Sequence, residues 1–181
     1  MTQAHSPEAK ARAKIDQKLE QAGWVVQDRE RINLSASSGV AVREFPTETG
    51  PVDYFLYVDG KGLGVVEAKP EGDTLSGVID QTERYANSIP EALPTYEQPI
   101  PFRYESNANE IFFTNVKDPN HRQCRVFNFH RPNTLRIRAK HKQSLREQLQ
   151  NMPELEQGRL YDCQYEAIKG LEQSLAENKP R

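Results

Sequence analysis

Asp53, Glu67 and Lys69 are the residues whose types and spacing point to chemistry, because they flank the two arms of one expected hairpin. Residues 52–58 and 63–68 are β-branched, aromatic and apolar, and the DGKG between them carries the Asp-Gly signal of a tight turn. Pairing Val58 with Lys61 or with Leu63, according to loop length, sets residue 53 opposite a position between 66 and 68. Side chains alternate along a strand, so Glu67 and Lys69 leave one face while Val66 and Ala68 leave the other, toward a core. Two carboxylates held close together repel unless a cation lies between them, and a hard ion such as Mg²⁺ with oxygen ligands meets that need. Lys69 on the same face would stabilise charge developing on a phosphate or help to activate water. The same residues also suit a plain ion pair between Glu67 and Lys69, since Glu-x-Lys is common on solvated strands.

Gln81 and Tyr85 stand at i and i+4 on a helix expected over 74–88, where they share one polar face just after the hairpin. Alone, such a pair suits any half-exposed helix. The order acid, hairpin, Glu67-Ala68-Lys69, then Gln-x-x-x-Tyr resembles the PD-(D/E)xK nucleases, and within them the RecB-like subgroup and the R subunits of type I restriction enzymes. The first half departs from the motif, reading Pro51-Val52-Asp53 where the pattern has Pro-Asp. Similarity to the amino-terminal region of the R subunits extends over most of the chain. It covers the opening Glu8, Arg12, Ile15, Asp16 and Leu19, then Gly23-Trp24, VDYFLYVDGKGLGVVEAK, and FHRPNTL at 129–135.

The resemblance implies an α/β fold of the restriction-endonuclease-like kind, a mixed β-sheet flanked by helices. It implies a Mg²⁺-dependent DNA endonuclease with Asp53, Glu67 and Lys69 catalytic, the ion held by Asp53, Glu67 and the Ala68 carbonyl, and Gln81 and Tyr85 in support. Nucleases of this class commonly add an acid from the first helix. Glu8 is the candidate and Glu20 the alternative, while alignment on Gly23 puts Arg12 where some relatives keep Glu. Glu8 also has a plain reading as a favourable charge near a helix amino terminus. The rival function is a noncatalytic module of the same fold that binds DNA or docks on the methyltransferase core.

Several other elements must position these residues. With 36% hydrophobic and 28% charged residues, a chain of 181 residues is built to fold around one principal core. An opening helix is expected over 8–22, with Ser6 as cap and Gly23 as stop, then strands at 24–27 and 40–45 and a chain break over 46–51. Further strands are expected at 102–104, 110–114 and 123–129, and helices at 140–150 and 164–177.

Cys124 and Cys163 form no CxxC, and the four histidines lack zinc-ligand spacing, so disulfides and structural zinc are not expected. No apolar run reaches membrane length and the start lacks a signal-peptide core, so a cytoplasmic protein without membrane contact is expected. From Pro119 to Arg146 there are eight cations and no acid, against 12 cations and 19 acids before it. Arg131, Arg136, Arg138 and Lys140 in this stretch suit a strip that tracks the phosphates of double-stranded DNA, or equally a solvated face.

The segment 160–168, LYDCQYEAI, resembles the Q-motif that precedes the P-loop of superfamily 2 helicases, whose glutamine, here Gln164, recognises adenine. No GxxxxGK[ST] follows. The expected organisation is therefore a nuclease domain at 1–145 and, at 146–181, a linker and helix leading toward a motor that this chain lacks. ATP, like the methyltransferase and specificity subunits as partners, belongs to the intact subunit implied by the resemblance.

Overall fold

The computed structural model describes residues 7–70, 79–90, 92–107 and 109–177. Helix α1 (Pro7–Gln21) opens the chain, and its Ala11, Ile15 and Leu19, spaced by four, are all but fully buried. It ends in a Schellman pair, Trp24 N–H to the Leu19 carbonyl at 3.0 Å and Gly23 N–H to the Glu20 carbonyl at 2.9 Å. The expected Ser6 cap lies outside the described residues.

Seven strands among the described residues form one mixed sheet in chain order: β1 (Val25–Asp28), β2 (Gly39–Thr47), β3 (Gly50–Val58), β4 (Lys61–Ala68), β5 (Phe102–Ser106), β6 (Ile111–Asn115) and β7 (Cys124–Val126). The β1–β2 and β4–β5 pairs are parallel and the rest antiparallel. Parallel neighbours need a crossover, and α2 (Ile79–Asn87) lies within the one from β4 to β5.

Helices cover both faces. Ile15, Leu19, Tyr54, Leu56, Val66, Tyr104 and Leu135 pack one core beneath α1 and α3 (Pro132–Lys140). Val40, Val42, Phe55, Tyr57, Val65, Ala86 and Ile100 pack the second, against α2. The expected restriction-endonuclease-like architecture of a mixed sheet flanked by helices is what the chain adopts.

Three local expectations are corrected. Residues 46–51 do not break the chain: Pro46 faces Pro51 and Thr47 faces Gly50, so β2 and β3 form a hairpin. In an antiparallel ladder alternate pairs exchange no hydrogen bonds, and the opposed prolines are tolerated at such a pair. The strand expected over 123–129 stops at Val126, after which Phe127 is 98% exposed and Phe129 turns back into the core. The helix expected over 140–150 begins only at Leu145, as α4 (Leu145–Gln150), and the cationic run before it forms a helix of its own, α3, around the buried Leu135. Ser144 caps α4 by accepting the Glu147 N–H at 3.1 Å.

Helix α5 (Asp162–Ala176) packs back on α4 through Arg146, which donates to the Leu175 carbonyl at 2.7 Å and lies 3.4 Å from Asp118. The expected division at 145/146 falls within α4. No helix among the described residues is long and apolar enough to cross a membrane.

Candidate active site

The β3–β4 hairpin turns on Asp59 (φ +49°) and Gly60 (φ +74°), two successive left-handed residues of the kind that match the twist of a tight hairpin. Val58 therefore pairs with Lys61, which settles the two loop lengths the sequence leaves open. An irregularity between Leu56 and Tyr57 shifts the register so that Tyr54 faces Val66, and the ladder ends there. One residue further on, the Asp53 carboxylate takes the place of a backbone partner: its Oδ2 accepts the Ala68 N–H at 2.8 Å. The next amide, that of Lys69, donates instead to the carbonyl of Ser106, the last β5 residue paired with β4, at 2.8 Å. The two strands thus part at the acids, leaving Asp53 and Glu67 at the mouth of the divergence.

Glu67 is buried and its Oε1 lies 3.0 Å from Lys69 Nζ. The ion pair of the plain reading is present, on an acid only 5% exposed. Burial raises the Glu67 pKa, and the neighbouring Asp53 charge raises it further against the pull of Lys69. Burial likewise raises Asp53, opposed by the Ala68 N–H, Arg12 and Lys69. A carboxyl whose folded pKa exceeds its unfolded value favours the folded state below the unfolded pKa, and that advantage is lost as pH rises through the folded pKa. Ionising Glu67 without a metal therefore costs the fold stability. Glu67→Gln is expected to raise the metal-free urea midpoint at pH 7, with the gain shrinking toward pH 4. An equal or lower midpoint at pH 7 would show that Lys69 outweighs burial.

Two further charged residues converge here. Glu105 on β5 stands beside Glu67 in the parallel register and is 2% exposed. Its Oε1 accepts the Thr82 hydroxyl at 2.9 Å and its Oε2 accepts the Gln123 side-chain amide, while burial raises its pKa. Thr82 lies between Gln81 and Tyr85, so Glu105 fastens α2 over the site. Alternation along FRYES puts Glu105 and Arg103 on one face, but that this is the Glu67 face depends on a parallel pairing that sequence patterning does not show.

Arg12, on α1, is the second. Its Nη2 lies 2.7 Å from Asp53 Oδ1 and its Nη1 2.7 Å from Glu44 Oε1. One helical turn along, Asp16 accepts from Arg43 at 2.9 Å and from the Tyr54 hydroxyl at 2.8 Å, which fixes α1 over β2 and β3.

Of the other expected residues, Tyr85 is half-buried and packs against the α2-side core. The side chains of Glu8 and Gln81 lie outside the described residues, and Glu20 is exposed two turns beyond Arg12. Arg131, Arg138 and Lys140 are exposed on or at the start of α3. Arg136 pairs with Asp59 in the hairpin turn at 3.3 Å, and Arg138 lies over the Phe113 ring. Asp59 follows the far end of β3 from Asp53, about 20 Å of extended strand away, so Arg136 is held at the end of the hairpin remote from the acids. Gln164 accepts the Tyr161 N–H at 3.1 Å and so caps α5. Among the described residues no three His, Cys, Asp or Glu side chains converge as a metal cluster.

Residues 29–138 match the family described as type I restriction enzyme EcoKI endonuclease subunit second domain. The chain is 27% identical over 179 residues to the type I restriction enzyme EcoKI endonuclease subunit of Escherichia coli (strain K12), across 71% of this chain and 15% of that protein. It is similar in fold, with a TM-score of 0.55 and 19% identity, to a solved fragment described as an HsdR subunit of a type I restriction enzyme from Vibrio vulnificus YJ016, across 98% of this chain and 34% of that one. The chain thus spans a small part of the relatives it matches. By the family match over more than half its length, the chain belongs to the type I restriction enzyme endonuclease-subunit family.

Proposed function

We propose that this domain hydrolyses DNA phosphodiester bonds with a divalent metal held by Asp53, Glu67 and the Ala68 carbonyl. The observation that carries this reading is the Asp53 Oδ2 bond to the Ala68 amide where β3 and β4 part, which sets two desolvated carboxylates against each other. The donor set fits Mg²⁺: two hard carboxylates, plus a carbonyl that leaves β4 by the same edge as the Ala68 N–H. When bound, such an ion supplies an activated water and polarises the phosphate. Lys69 Nζ, 3.0 Å from Glu67, is placed to stabilise charge on the phosphate in the transition state. Glu105 holds α2 through Thr82 and keeps Tyr85 against the sheet.

The test is nicking of supercoiled plasmid by the chain in Mg²⁺ or Mn²⁺, with a chelator control. Metal-dependent nicks support the reading. A second reading, the noncatalytic DNA-binding or docking module, is favoured by Arg12 sitting on Asp53 and by the absence, among the described residues, of three acids grouped so as to hold a metal ion. That module has no need of metal, so plasmid binding without Mn²⁺ uptake would select it.

Residues Arg138 and Lys140 are read as phosphate contacts. Arg138→Gln and Lys140→Gln are each expected to lower the slope of log affinity against log salt by about one. Unchanged slopes in fluorescence anisotropy would remove α3 from the DNA interface. In the intact subunit, Gln164 is read as contacting adenine in an ATP-driven motor, with methyltransferase and specificity subunits as partners.

A further inference from the structure

Arg12 stands where a metal ion would have to work. Its guanidinium contacts Asp53 Oδ1 at 2.7 Å, while the other oxygen of that carboxylate holds the Ala68 amide at 2.8 Å. Both oxygens of the first acid are therefore engaged, one of them by a full positive charge that does not titrate. On the second acid, Lys69 already occupies Oε1. Two buried carboxylates thus face two cations before any metal arrives.

The placement of Arg12 is built, not incidental. The Asp16–Arg43–Tyr54 network anchors the next turn of α1 and directs Arg12 toward the sheet. Glu44, which takes the other guanidinium nitrogen, has φ +49°, a left-handed conformation unusual for a residue with a side chain. It falls between the pairs Arg43–Tyr54 and Phe45–Val52, directly across β2 from Asp53. Such backbone outliers persist only where surrounding structure holds them, and they cluster at functional sites. Glu44 is largely exposed, whereas Asp53 is largely covered, so Arg12 bridges an outer acid and an inner one.

We infer that Arg12 is a counter-cation that occupies Asp53 in the free site, competes with the divalent metal, and yields to it when a phosphodiester arrives. This rests on the assignment of Asp53 and Glu67 as the metal-holding acids. Mg²⁺ binds its ligands at about 2.0–2.1 Å, so a guanidinium on the same carboxylate opposes the ion at short range in a poorly solvated site. A phosphate anion beside the site offers Arg12 a second partner of the planar, bidentate kind it favours. Glu44, already 2.7 Å from Nη1, keeps its hold on the guanidinium when Asp53 is taken. Metal loading and DNA binding then become coupled, each raising affinity for the other by the same factor.

The test is Mn²⁺ titration of the chain, followed by the electron paramagnetic resonance signal of free Mn²⁺, with and without a short DNA duplex. Arg12→Gln is expected to bind Mn²⁺ about tenfold or more tightly than wild type without DNA, from the loss of one nearby positive charge. The duplex should then strengthen Mn²⁺ binding in wild type and do so much less in Arg12→Gln. Glu44→Gln removes the outer acid and should weaken Mn²⁺ binding, a change of opposite sign that general destabilisation does not predict for the pair. Equal or weaker Mn²⁺ binding by Arg12→Gln, or no binding by either protein, overturns the inference. Asp53→Asn separates the two levels. If it leaves Mn²⁺ binding intact, the metal-site assignment fails and this inference with it; if it abolishes binding while Arg12→Gln changes nothing, only the competition fails.

Discussion

Asp53→Ala and Lys69→Ala are each expected to remove metal-dependent DNA cleavage, measured as plasmid nicking beside wild type. The two fail for different reasons. Asp53 would lose a metal ligand and also leave the Ala68 N–H without its acceptor at 2.8 Å, so both the ion and the parting of β3 from β4 are disturbed. Asp53→Asn keeps an acceptor for that amide and removes the charge, and it should cleave no better. Lys69→Ala leaves the carboxylates in place and removes the cation beside the phosphate. Losing one preorganised electrostatic contact of this kind typically slows chemistry by about a hundred- to a thousandfold. Metal uptake should survive in Lys69→Ala and be lost in Asp53→Asn. Normal cutting by either Asp53→Ala or Lys69→Ala sinks the catalytic assignment.

Leu135→Ala is the largest stability loss expected outside the site. Leu135 is fully buried and carries α3 against the sheet, in the cluster that also contains Trp24, Tyr104 and Phe129. Its truncation should destabilise the fold by about 2–5 kcal/mol, as a buried leucine leaves a cavity that its neighbours only partly close. The site has little room to collapse. At Gly39, at the start of β2, an added Cβ would meet the Pro132 ring Cγ at 2.1 Å, so helix and strand are already in close contact. Trp24 Nε1 also donates to the His130 carbonyl at 2.9 Å, and the Tyr104 hydroxyl bonds His130 Nδ1 at 2.6 Å. Burial and the Arg138 charge push the His130 pKa down to about 4, so at neutral pH its ring enters that bond uncharged. Urea denaturation at neutral pH gives the measurement. A loss under 1 kcal/mol would mean that α3 is held by its polar contacts and not by Leu135.

The hairpin was legible because its signals are local. A run of β-branched, aromatic and apolar residues, an Asp-Gly turn and a second such run specify a two-stranded unit, and side-chain alternation then places Glu67 and Lys69 together. The register needed the choice between two loop lengths, which the left-handed Asp59 and Gly60 settle, and a shift between Leu56 and Tyr57 that local spacing does not show. The opening helix was legible for the same reason, since Ile15, Leu19 and Gly23 act within three turns. Helix α3 was hidden because a run of arginines and lysines is dominated by charge, and only Pro132 and Leu135 are buried among them, which gives almost no periodic signal. The prolines at 46 and 51 misled in another way: proline ends strands by withholding a donor, and here neither donor was required.

By itself the amino-acid sequence determined which residues lie on which face of each short element, and so brought Asp53, Glu67 and Lys69 to one hairpin. Motif order was enough to point to the family. The tertiary structure alone decided that Glu105 lies beside Glu67, that Thr82 fastens α2 to it, and that Arg12 reaches Asp53 from a helix 41 residues away in the chain. These depend on parallel pairing and on how a helix lies across a sheet. Such contacts are set by the packing of whole apolar faces, which no local spacing of charged residues encodes.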